Sequence, residues 1–87
     1  MLTSEQIRAA RALLRWEQKD LASASGVSLP TIKRLEAKPG PLNAHGPTID
    51  ALSRALGEAG VQFIPENGGG PGVRLRYPSH SLARTDQ

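Results

Sequence analysis

A mainly α fold, four to five short helices closed by a C-terminal β-hairpin, is predicted by three observations. Apolar residues recur at helical spacing in several stretches: Ile7, Ala10, Leu13 and Leu14 early on, Ile32 and Leu35 in the middle, then Ile49, Leu52, Ala55, Leu56 and Ala59. Gly26, inside QKDLASASGVSLPTIKRLEA, divides residues 18–37 into two short helices folded against each other. After Gly60 the period changes, and VQFI and VRLRY form two runs rich in β-branched and aromatic residues on either side of PENGGGPG.

The first helix is expected over residues 3–14, where Thr3 and Gln6 stand in the T-x-x-Q arrangement of a capping box. Arg8, Arg11 and Arg15 lie on its neighbouring faces, and Arg8 and Arg15 read as solvated charges. Trp16 closes the segment as a lid over the core, which its bulk favours over a base-stacking role. The second helix opens at Gln18 and carries Leu21 and the small Ala22 on its inner face. Gly26 ends it, because glycine enters positive φ without a Cβ clash, and Val27 fills the elbow. Ser28 is a good N-cap and Pro30 sits where a missing N–H costs nothing, so the third helix begins at Leu29. Together these form a helix-turn-helix pattern. KPGPLNAHGP, residues 38–47, has three prolines and two glycines and reads as a loop. A fourth helix is expected from about Thr48, taken as its cap, to Ala59, with Gly60 ending it.

The chain divides into a helical part, 1–60, a hairpin, 61–77, and a polar tail, 78–87, expected to be disordered. In the hairpin, Val61 and Phe63 on one strand and Val73, Leu75 and Tyr77 on the other make an apolar face, while Arg74 and Arg76 alternate with them. A lone two-stranded hairpin is marginal, so this face either covers the fourth helix of its own chain or forms a dimer interface. The glycine-rich connection lacks the G-x-x-x-x-G-K-S/T signature and opens no helix, so it reads as a plain hairpin turn.

Composition narrows the function. Eighty-seven residues make one domain at most and bury only about 60% of the unfolded surface, so dimerisation would add needed stability. One Phe, one Trp and one Tyr leave a core of Leu, Ile, Val and Ala with no room for a large ligand pocket. Eleven Lys and Arg against eight Asp and Glu give a net charge of +3, compatible with a nucleic-acid partner. The absence of cysteine excludes disulfides and thiolate metal sites. No apolar run reaches membrane-spanning length and MLTSEQIRAAR lacks a signal-peptide core, so a cytoplasmic protein is expected. His45 and His80 are the only histidines and neither has a cluster of acids beside it, whereas a metal site needs three or four convergent ligands. No cofactor motif, and no nucleophile with paired carboxylates, supports an enzyme.

Gln18, Leu21-Ala22, Gly26-Val27-Ser28, Ile32, Leu35-Glu36 and Arg11, seven residues before Gln18, resemble the Cro/repressor-like (XRE-type) helix-turn-helix family, with the lambda-repressor-like fold. The resemblance covers roughly residues 4–58, with two departures: Glu17 stands where Ser or Asn usually caps, and Ser25 where an apolar residue is preferred. It implies that the third helix enters the major groove of double-stranded DNA, with Ser28, Leu29, Pro30, Thr31, Lys33 and Arg34 facing the groove. Arg34 is the best candidate for direct readout, since its forked donors match guanine O6 and N7, and Lys33 can read a base or hold a phosphate. Leu29 and Pro30 replace residues that read bases in some relatives and offer only apolar contact. Gln18, Lys38, Asn43 and His45 are expected to clamp the backbone. The resemblance also implies an Arg11–Glu36 ion pair between the first and third helices. The leading function is a homodimeric, sequence-specific transcriptional repressor; the alternative is a DNA-binding antitoxin or adaptor whose hairpin takes a protein partner.

Overall fold

The computed structural model describes residues 2–77, so the expected tail at 78–87 lies outside the described residues. Four helices, α1 (Ser4–Leu14), α2 (Gln18–Ser25), α3 (Leu29–Ala37) and α4 (Gly46–Glu58), precede the strands β1 (Val61–Ile64) and β2 (Gly72–Leu75). The strands pair antiparallel with Val61 opposite Leu75 and Ile64 opposite Gly72.

Local chemistry sets the helix ends. At α1 the capping box closes both ways: Thr3 Oγ1 accepts from the Gln6 N–H at 3.1 Å, and Gln6 Oε1 accepts from the Thr3 N–H at 3.0 Å. Arg15 ends α1 in the left-handed region at φ 57°. At α2 the missing Ser or Asn cap is offset from three residues on, where Asp20 Oδ2 accepts from the Glu17 N–H at 2.8 Å. Gly26 closes α2 at φ 78°, its N–H donating to the Ala22 carbonyl at 2.9 Å. Ser25 turns its departure from the family pattern to use: its hydroxyl donates to the Leu21 carbonyl at 2.7 Å and accepts from the Val27 N–H at 3.1 Å. Ser28 caps α3 by accepting from the Thr31 N–H at 3.3 Å.

The start of α4 departs from expectation. The helix begins at Gly46, with His45 at the cap position, and Thr48 is already inside the first turn. Its N–H and that of Ile49 both donate to the His45 carbonyl, at 3.0 and 3.1 Å. Pro47 read as a loop residue, but a proline in the first helical turn forfeits only an N–H that has no helical partner.

The core joins all four helices to the hairpin: Ile7 and Ala10, Leu21, Ile32 and Leu35, Leu52, Ala55 and Leu56, and Val61 are buried together. Leu42, from the loop, is buried with them. That loop is stitched to the start of α1, its Leu42 N–H donating to the Leu2 carbonyl at 3.0 Å and its Gly40 carbonyl accepting from the Ser4 N–H at 2.9 Å. Trp16 packs partly buried against the core. The hairpin lies against α1 and α4. Of the two roles open to the hairpin's apolar face, covering its own chain or forming a subunit interface, Val61 takes the first at 2% exposure, and Phe63 and Val73 pack against the same core. The second strand ends at Leu75, which leaves Tyr77 beyond it and exposed.

Candidate nucleic-acid interface

The candidate site is the outer side of α3 and the loop that follows. Ile32 and Leu35 turn into the core, which sets the rotation of the helix and leaves Pro30, Lys33 and Arg34 exposed, with the cap Ser28 exposed ahead of them. Leu29 and Thr31 are half-buried at its first turn. Glu36 is the one acidic residue of α3, and it faces the other way, so the solvent side of the helix carries only positive charge. Lys33, Arg34 and the following Lys38 make no ion pair among the described residues.

A buried polar network fixes the angle at which α3 is presented. Arg11 on α1 grips Glu36 with two hydrogen bonds, Nε to Oε2 at 2.8 Å and Nη2 to Oε1 at 2.6 Å, and its Nη1 donates to the Trp16 carbonyl at 3.0 Å. Gln18, at the start of α2, donates from Nε2 to Glu36 Oε1 at 3.1 Å. One carboxylate on α3 therefore gathers side chains from α1 and α2. Among the described residues every buried side-chain polar atom has a hydrogen-bond partner, so the network is fully satisfied. One Gln18 amide hydrogen is committed to Glu36, leaving the second for another partner.

Beside α3 the loop and the start of α4 form an open recess of about 280 Å³, lined by Thr31, Arg34, Asn43, Ala44, His45 and Thr48. A smaller hollow continues past it along Arg34, Leu35, Lys38, Pro41 and Asn43. The fold thus brings Thr31, Arg34, Lys38, Asn43 and His45 into one region, with Arg34 and Asn43 shared by both depressions. Ser28, Leu29, Pro30, Lys33 and Gln18 line neither. Thr48 joins the recess as a residue the sequence reading missed, because its assignment as a cap hid its true place inside the first turn of α4. Among the described residues no three His, Cys, Asp or Glu side chains converge as a metal site. No described helix is long and apolar enough to cross a membrane.

Two short helices packed across the Gly26 turn, the second with a cationic outer face, define the class: a small helix-turn-helix domain. The sequence matches the helix-turn-helix family over residues 7–61, well over half of the chain, and the protein belongs to that family, of the XRE type, whose members are DNA-binding transcription regulators. No curated protein matches the chain. The family match stops at the first residue of β1, so nearly all of the hairpin lies beyond it.

Proposed function

We propose that the protein is a sequence-specific double-stranded DNA-binding regulator, acting in the cytoplasm as a homodimeric repressor. The carrying observation is the outer face of α3, where Lys33 and Arg34 stand exposed and unpaired while the helix's only acid is withdrawn into the Arg11–Gln18 network. Arg34 projects from that face beside Thr31 and Asn43, which suits a forked contact to guanine backed by polar neighbours. Lys38, Asn43 and His45 hold the backbone beside it, and Gln18 reaches a phosphate with its second amide hydrogen and the free N–H groups of the first turn of α2. Leu29 and Pro30 contribute apolar contact to a thymine methyl. Two copies bound to a promoter exclude polymerase by occupancy alone. The antitoxin or adaptor reading needs the hairpin's apolar face for a partner protein, whereas Val61, Phe63 and Val73 pack against the protomer's own core.

Selection of bound fragments from random duplex DNA tests this reading. A palindromic consensus is expected, and failure to enrich any sequence would overturn it. On the selected site, Arg34→Ala should relax preference at one position per half-site, a loss of about 1–3 kcal/mol of discrimination, while Gln18→Ala should weaken all sequences alike. Gel shifts on matched and mismatched duplexes read the difference, and equal weakening of both by Arg34→Ala would reassign Arg34 to the backbone.

A further inference from the structure

The loop that joins the two strands serves neither the core nor the recognition face. Residues 65–70 are exposed throughout, contribute nothing to the core cluster, and line neither depression beside α3. Within the loop Asn67 is followed by Gly68, Gly69 and Gly70, whereas Asn43, the other asparagine of the chain, is followed by Ala44.

We propose that Asn67 is a site of spontaneous covalent modification, where ring closure onto the Gly68 nitrogen converts the side-chain amide to isoaspartate and aspartate. The Gly68 backbone nitrogen, giving up its proton to solvent, attacks Asn67 Cγ. As that N–Cγ bond forms the Cγ–Nδ2 bond breaks, and Nδ2 takes up a proton and leaves as ammonia. A succinimide remains. Water then adds to one of its carbonyls: opening at Cγ gives aspartate, and opening at the main-chain carbonyl gives isoaspartate, with the backbone rerouted through Cγ. Nothing is oxidised or reduced, and water is the only co-reactant.

The loop meets each requirement of that chemistry. Gly68 has no Cβ to obstruct the approach, and a Cβ built at Gly68, Gly69 or Gly70 would meet nothing within 4 Å, so the ring has open space to form. Gly68 stands at φ 84° and, as a glycine, leaves the left-handed region at little cost. Among the described residues neither the Asn67 side chain nor the Gly68 N–H is hydrogen-bonded, and the Asn67 N–H reaches the Gly69 carbonyl only at 3.4 Å. The reacting groups are therefore free to meet. Beyond the loop the hairpin is secured by the Ile64–Gly72 pairing and by Gln6 Nε2, which donates to the Gly72 carbonyl at 2.9 Å, so the fold outlasts the change. Asn43 lacks these conditions. Its neighbour Ala44 carries a Cβ and packs partly buried against the core, and on its other side the Leu42 N–H is held by the Leu2 carbonyl. Conversion of Asn67 lowers the net charge of +3 by one and sets a new carboxylate beside Glu66.

Peptide mapping by mass spectrometry on the full chain, held in mildly alkaline buffer, tests the proposal. Asn67 should convert at the pace of a synthetic PENGGGPG peptide in the same buffer, with Asn43 intact. Isoaspartyl methyltransferase with labelled S-adenosylmethionine should then mark the aged wild type and leave aged Asn67→Gln unmarked. Gly68→Ala should slow conversion by about tenfold or more, the effect of a barrier about 1.4 kcal/mol higher. Circular dichroism of both variants should match the wild type, since the loop is outside the core. Alanine is strained at the positive φ of Gly68, so Asn67→Gln, which leaves the backbone as it is, carries the test if Gly68→Ala misfolds. Asn67 intact after the peptide has converted overturns the proposal, and so does a methyl label that Asn67→Gln leaves undiminished.

Discussion

Glu36 is the residue that ties α3 to α1 and α2. It is 6% exposed and accepts three hydrogen bonds, two from Arg11 and one from Gln18. Removing the acid leaves a guanidinium that is largely enclosed and keeps only the Trp16 carbonyl. Glu36→Ala should therefore cost about 3 kcal/mol, measured by urea unfolding, since breaking a buried pair from one side strands the other charge. Arg15 presents the opposite case, a side chain in a conformation that suits glycine, at φ 57°. Arg15→Gly should raise stability by about 1 kcal/mol, read as a higher thermal midpoint, by relieving the left-handed strain. Glu5 adds a pH dependence. Backbone N–H groups, its own and that of Gly40, hold its carboxyl below the usual carboxylate range. A lowered folded-state pKa stabilises above the unfolded value and is lost as pH falls through the folded one, so acidification should loosen the tie between α1 and the loop. Glu5→Gln should flatten the acid limb of a stability–pH curve, and an unchanged limb would place the dependence elsewhere.

At the level of elements, the helices were legible because their signals are local. Thr3 and Gln6, Gly26, and Ser28 with Pro30 each act within one turn, so the boundaries of α1, α2 and α3 can be read from neighbouring residues. The Arg11–Glu36 pair was legible only through family resemblance, because nothing local joins residues 25 positions apart. Two features were hidden for the same reason. Leu42 sits in a proline-rich segment that shows no period, and only the three-dimensional return of the loop to Leu2 buries it. Gln6 was assigned a capping role, yet its amide nitrogen also donates to the Gly72 carbonyl at 2.9 Å, and to that of Ile64 at 3.4 Å, across nearly the whole chain. One side chain thus caps α1 and latches both strands of the hairpin. Gln6→Ala should cost about 1–3 kcal/mol, because it strands the Thr3 N–H and the Gly72 carbonyl in a partly buried setting. Hydrogen exchange should show the loss first in β1 and β2, and uniform loss across the helices would contradict the latch. Arg76 has a like hidden role, since a basic residue on the solvent side of a hairpin gives no hint that it caps the end of α4.

At the scale of the whole molecule, the geometry of DNA decides how many copies act. The protomer measures 38 × 34 × 19 Å, and successive major-groove faces of a duplex recur about every 34 Å, so two copies of this size fit side by side on neighbouring groove faces. One copy presents only Lys33, Arg34 and Lys38 from the recognition region, too few cations for tight specific binding at physiological salt. The salt dependence of binding counts the copies. Each phosphate contact releases condensed counterions and contributes about 0.9 to the slope of log affinity against log salt. Lys38 lies past the end of α3, is exposed, and borders the smaller hollow beside Arg34, and the interface proposed above assigns it to the backbone rather than to a base edge. In a two-fold complex, Lys38→Ala removes that contact twice, and the slope should fall by about 1.8, against about 0.9 for a single copy. The variant should also weaken selected and random duplexes equally, because a phosphate carries no sequence. Fluorescence titrations over a range of salt concentrations measure both quantities. A fall near 0.9 would place one copy on the DNA, and an unchanged slope would take Lys38 off the backbone altogether.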